Sequence, residues 1–210
     1  MVEVLAFREV DEGEAELVMR LMREFGAPDV PVAFVDESSA ELFGVDMSKR
    51  AARLVQRDEG YLLLVRRPDK LSIWRELALL EILEDPSTSP IWALPEDYRG
   101  REDAAALSLA LLNRLIDVKV ALRDAGLIAS SLDPSSLPLE AEDVEKSLIY
   151  TLDLDATVSL AVAGFRALAE ELFLKFRRAP IYDLYSKFRN FVINNFKFEQ
   201  IYNYLLIINR

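Results

Sequence analysis

Apolar positions recur at helical spacing along most of this chain, and a short β-patterned stretch interrupts them in its first third. Leu17, Val18, Leu21, Met22 and Phe25 fall on one face of a helix predicted over Glu12–Phe25, with Gly26 as its stop signal. Val30–Val35 is β-branched, bounded by Asp29 and Asp36, and reads as a strand. Ser39–Val45 reads as a turn or a short helix. Ala51–Val55 and Tyr61–Arg66 flank Asp58-Glu59-Gly60 as the arms of a hairpin, although Ser48–Gln56 also fits a helix. The second arm, Tyr61-Leu62-Leu63-Leu64-Val65, is apolar on both faces, which predicts a buried strand.

Leu71–Glu84 is the next predicted helix, with Ile73, Leu77, Leu80, Ile82 and Leu83 supplying its core side. Asp85–Pro95 holds three prolines and reads as a connecting loop. A long helix follows over Glu102–Ala125, stopped by Gly126. Ser130–Pro138 is a Ser/Pro/Leu loop and the candidate boundary between subdomains. Helices over Glu140–Thr151 and Thr157–Arg178 complete the pattern, and no internal repeat is present. The fold class expected is α+β, mainly helical, with a small sheet. An α+β region over 1–128 and a helical region over 139–210 would pack into one compact unit.

The last residues change character. Residues 175–210 carry seven Lys/Arg against two Asp/Glu, a net of +5, which leaves −16 on the rest of a chain whose total is −11. Leu184, Phe188, Phe191, Val192 and Phe196 sit near helical spacing, so a C-terminal helix docking its aromatic side on the core is expected. A self-association segment over 180–210, or a stretch foreign to the native gene product, fits the same composition.

At 210 residues with 51% apolar and 29% charged positions, the chain can bury a full core. The negative charge argues against general affinity for nucleic acid or anionic membrane, since both are polyanions. The N-terminus lacks a basic segment followed by an apolar run, so no signal peptide is expected. The most apolar stretch, Ala156–Leu174, is interrupted by Arg166, Glu170 and Glu171 and reads as a core helix. Cytoplasmic localisation is the expectation. Sparse Gln and Asn before position 180, with abundant Glu and Arg, match a thermophile's habits.

Histidine and cysteine are both absent from the sequence. That excludes Ser-His-Asp and Cys-His nucleophile pairs, thiol redox centres and ordinary zinc sites. The seven glycines are scattered, with no phosphate-cradling or dinucleotide fingerprint, and no cofactor is expected. Glu81, Glu84 and Asp85, and Glu140, Glu142, Asp143 and Glu145, form two acidic clusters. Neither has the spacing of a defined cation loop, and a solvated helix start explains the second. Trp74 and Trp92 are expected to pack in the core, although Trp74 could also line a groove.

Against that absence stands Ile73-Trp74-Arg75-Glu76-Leu77-Ala78-Leu79-Leu80, which resembles the active-site helix of zincin metallopeptidases with its histidines replaced. In that family two His at i and i+4 bind Zn²⁺, and the Glu after the first polarises the attacking water. The resemblance places Arg75 and Leu79 at the imidazole positions and Glu76 at the general base. The order of elements, a helix, a strand, a groove strand and the active-site helix, can be read from Glu12 to Glu84. Asn113 and Asp117 resemble the third-ligand pattern of some zincin-like families, so the likeness covers about residues 12–125. It implies a binding groove of Arg75, Glu76, Leu79, Asn113 and Asp117, with Glu76 and Asp117 as vestigial catalytic positions. It implies no metal, because Arg75 repels a cation and Leu79 offers no lone pair.

The function expected is therefore that of a non-catalytic pseudo-peptidase that binds a protein or peptide. The alternatives are a carboxylate hydrolase dependent on a divalent metal, and an assembly subunit that associates through its aromatic C-terminal helix.

Overall fold

The computed structural model describes residues 3–26, 29–58, 60–133, 143–177 and 181–208. The chain is a mainly helical α+β protein with one small mixed sheet. It divides into two compact units, residues 1–84 and 85–210. The Ser130–Pro138 loop falls within the second unit. Positions 134–142, which include Glu140 and Glu142, lie outside the described residues.

In the first unit the elements are β1 (Val4–Ala6), α1 (Glu12–Phe25), β2 (Val32–Phe34), α2 (Glu37–Ala40), β3 (Ala52–Arg57), β4 (Gly60–Val65) and α3 (Lys70–Glu84). Helix α1 keeps its predicted bounds. Asp11 accepts from the Glu14 amide at the start, and Gly26 ends the helix at φ 78°, a left-handed conformation that costs glycine little. The strand order is β1-β2-β4-β3, with the first three parallel and β3 antiparallel at the edge. Val32 pairs with Val4 on one side and Leu63 on the other, while Leu54 opposes Leu63 across the hairpin.

Both faces of the sheet are covered, which is why β2 and β4 read as continuous apolar runs. Ala33, Leu62 and Leu64 share one face with Ala40 and Met47. Val32, Phe34, Leu63 and Val65 alternate to the other face and are all fully buried. Helices α1 and α3 pack on each other, and α3 also lies against β3 and β4.

The second unit contains α4 (Ser89–Trp92), α5 (Glu102–Ala121), α6 (Ala125–Ser130), α7 (Val144–Leu154), α8 (Ala156–Val162), α9 (Arg166–Phe173), α10 (Tyr182–Asn194) and α11 (Phe198–Ile208). Helix α5 is its spine and touches α4, α6, α7, α8 and α11. Its expected run to Ala125 stops at Ala121. Asp124 instead caps α6 by accepting from the Leu127 amide, so Gly126 begins a new helix rather than ending the old one. The expected Thr157–Arg178 helix is broken by Gly164 at φ 99°, between α8 and α9.

The C-terminal segment docks its aromatic side into this core. Tyr185, Phe188, Val192, Phe198, Ile201, Tyr202 and Leu205 are all buried there with Leu107, Leu111, Leu148 and Phe173. Among the described residues, no helix is long and apolar enough to cross a membrane.

Candidate functional site

Helix α3 carries the first three candidate residues. Asp69 opens it by accepting from the Ser72 amide at 2.8 Å. Ile73, Leu77, Ala78 and Leu80 face inward, and Trp74 joins them, with its indole N–H donating to the Leu21 carbonyl at 2.9 Å. Trp74 is thus a core residue, edge-on to Phe25 at 5.7 Å between ring centroids. Arg75, Glu76 and Leu79 occupy the half-buried side of the helix.

Glu76 is turned onto the edge strand β3. Its Oε2 accepts from the Leu54 amide at 2.8 Å, and its Oε1 lies 4.0 Å from the Arg53 guanidinium. In an antiparallel ladder alternate residues direct their amide and carbonyl away from the partner strand. Leu54 is one of these, so its N–H would otherwise face outward with no strand beside it. The carboxylate therefore caps a bare sheet edge, the feature that proteins protect against unwanted strand pairing.

Burial raises the Glu76 pKa above the ordinary 4.5. The Leu54 amide and the positive charges of Arg53, Arg50 and Arg75 oppose that rise. The folded protein thus holds this proton to higher pH than the unfolded chain does. Stability from Glu76 is complete below about pH 4.5 and is lost as pH rises through the folded pKa. Denaturant titrations of the wild type and Glu76→Gln should reveal it. Relative to the Gln variant, the wild type is expected to be more stable at pH 4 than at pH 7. A relative gain with rising pH would contradict this assignment.

Asn113 and Asp117 lie on α5, in the second unit. Asn113 donates its amide to Asp153 Oδ1 on α7 at 2.7 Å. Asp117 pairs with Arg114 on its own helix, Nη2 to Oδ2 at 3.0 Å, and both side chains are about 95% buried. Each candidate carboxylate thus has a basic neighbour, Arg53 beside Glu76 and Arg114 beside Asp117.

One described member of each acidic cluster caps a helix. Asp85 accepts from the Ser87 amide at 3.0 Å, and Asp143 starts α7 by accepting from the Lys146 amide at 3.1 Å. Among the described residues, no group of three acidic side chains is placed to hold a metal ion.

The carboxyl ends of parallel strands are where ligands commonly bind in α/β sheets. Here a cleft of about 620 Å³ is lined by Arg8, Asp36, Ser38 and Arg66. Arg8 strands itself across it. Its Nε donates to the Val35 carbonyl, Nη1 to the Glu9 carbonyl and Glu14, and Nη2 to the Arg66 carbonyl and Glu14. All five N–H groups are thereby used on the protein, which ties the ends of β1, β2 and β4 together. A second cleft of about 620 Å³ at the opposite strand ends is lined by Glu3, Asp29, Arg57, Asp58 and Glu84. Glu76 lines neither cleft.

Sequence reasoning missed a buried polar network in the second unit, centred on Asp155. This residue caps α8, accepting from the Thr157 amide at 2.9 Å and its hydroxyl at 2.6 Å. Tyr185 donates its hydroxyl to Asp155 Oδ2 at 2.9 Å, and Arg189 Nε lies 3.4 Å from the same oxygen. The network joins Asp155 to residues 30 and 34 positions away, and nothing local in the sequence announces it. No family model, no curated protein and no solved structure matches this chain.

Proposed function

We propose that this chain is a cytoplasmic zincin-like protein without peptidase chemistry, which acts by binding a protein or an extended peptide. The observation that carries the reading is the position of Glu76. It stands where the resemblance puts the general base, yet its carboxylate is folded against the Leu54 amide of the edge strand. Arg75 and Leu79, at the imidazole positions, offer no metal-binding lone pair. A carboxylate committed to a backbone amide and beside Arg53 is a poor activator of water. The order β1, α1, β2, α2, β3, β4, α3, in which a helix and then strands precede α3, supports the scaffold half of the proposal.

The same edge strand is the binding element in this reading. Beyond Leu54, the outward amide and carbonyl of Gln56 lie in the exposed end of β3. An added strand would find these groups and meet Glu76 as its stop. Calorimetric titration with Zn²⁺ and with Mn²⁺, paired with hydrolysis assays on an unfolded protein substrate, tests the proposal. No stoichiometric metal binding and no hydrolysis are expected. Tight binding that Glu76→Gln abolishes would sink the non-catalytic reading and favour a metal-dependent hydrolase.

A further inference from the structure

In the second unit, helices α5 and α7 run side by side in the same direction. Asp103 and Glu145 come together near their starts, and Asn113 donates to Asp153 further along both. Between them opens a cleft of about 280 Å³. Its apolar lining is Ala106 and Leu109 from α5 and Ile149 and Tyr150 from α7. Together with Glu102 and Asp103 on α5 and Lys146 and Asp153 on α7, these positions recur at three- and four-residue spacing, so the cleft follows the valley between the two helices. Ile149 forms a buried floor. Leu109 and Tyr150 stand 57% and 53% exposed on either side, an unusual exposure for two large side chains at one place.

The charges around this valley are unbalanced. The lining carries three acids, Glu102, Asp103 and Asp153, against one base, Lys146, and Arg101 bonds with Asp103. Acids occupy both ends, with Glu102 and Asp103 at one and Asp153 at the other. The volume suits one large apolar side chain rather than a cofactor. The paired helices present a ready groove for a third helix.

We propose that this cleft receives an amphipathic helix of a partner protein. One Leu, Phe or Met anchor sits over Ala106 between Leu109 and Tyr150, and Lys or Arg residues one turn to either side meet Glu102 and Asp153. The site lies wholly in the second unit and is independent of the reading of α3. Its energy comes from the seated anchor, and the basic flanks set orientation and rate of approach.

The test uses the full chain and labelled synthetic peptides of about 16 residues, long enough to form a helix on binding. One peptide carries Leu at helical spacing with Lys flanks. A second replaces each Lys by Glu, and a third replaces each Leu by Ala. Fluorescence anisotropy should detect the first peptide alone. Ala106 is exposed, so Ala106→Trp fills the cleft without touching the core, and it is expected to weaken binding at least about tenfold. If that variant melts early, Tyr150→Ala supplies the same readout with the opposite change in volume. Unchanged affinity in both variants would overturn the proposal, as would equal binding of the Ala peptide, which would signal charge attraction alone. Self-association of the wild type in sedimentation, abolished by Ala106→Trp, would assign the cleft to a second copy and also overturn it.

Discussion

Replacing Asp155 with alanine is expected to destabilise the second unit by about 3–5 kcal/mol, the usual effect of removing one partner from a buried ion pair. Asp155 and Arg189 are both fully buried. The carboxylate serves the Thr157 amide and hydroxyl, the Tyr185 hydroxyl and the Arg189 guanidinium together. Its loss strands a buried positive charge. Arg189 would keep the Thr157 hydroxyl at 3.0 Å, a bond to half-exposed Glu170 at 2.8 Å and the face of Phe173 at 4.2 Å. Arg189 Nη2 already lacks a hydrogen-bond partner among the described residues, so the site has no spare acceptor. Arg189→Met should cost less, because Asp155 keeps its Thr157 and Tyr185 donors. Thermal melts followed by circular dichroism should therefore rank the proteins wild type, Arg189→Met, Asp155→Ala. For a chain of this size the larger loss corresponds to a fall of roughly 10 °C. The reverse order of the two variants would mean that the carboxylate is not the hub.

Trp74→Ala is expected to be about as damaging in the first unit, at about 3–5 kcal/mol for a buried aromatic emptied to a methyl group. Trp74 is 3% exposed and fixes α3 against α1 through Phe25 and through its bond to the Leu21 carbonyl. Lys70 also lies 4.2 Å over its ring. Trp74→Phe keeps most of the packing and loses the N–H donor, so it should cost only about 1–2 kcal/mol. Urea titrations followed by far-ultraviolet circular dichroism separate the two variants. A small effect of Trp74→Ala would mean that the residue faces a groove rather than the core.

Local signals in the sequence carried much of the fold. Helix α1 was legible because its apolar stripe and its terminal glycine lie close together, Leu17 to Gly26, while the Asp11 cap was not singled out. The first hairpin arm stayed open between strand and helix and is a strand, β3, while the second was legible because a leucine-rich run follows Gly60. Strand β1 was not, since three half-exposed residues acquire strand structure only by pairing with β2 about 28 positions later. The break at Gly164 had a visible signal, a glycine inside an otherwise helical pattern, which the long apolar run outweighed.

The candidate site was legible only in part. Residue types at Arg75, Glu76 and Leu79 were plain, and so was the lack of imidazoles. The destination of the Glu76 carboxylate was hidden, because it depends on which strand forms the sheet edge and which amide that edge exposes. Arg8 was hidden for the same reason, as its acceptors follow the ends of strands distant in sequence.

The central claim is that Glu76 braces the edge of the sheet instead of serving chemistry. Hydrogen exchange at the Leu54 amide tests it most directly. That amide is on an edge strand and faces away from β4, and among the described residues its acceptor is the Glu76 carboxylate. In the wild type near neutral pH, the Leu54 N–H should exchange slowly, as the inward-facing amides of β3 do. In Glu76→Ala it should exchange far faster while those inward-facing neighbours keep their protection. Equal exchange at Leu54 in the two proteins would contradict the account.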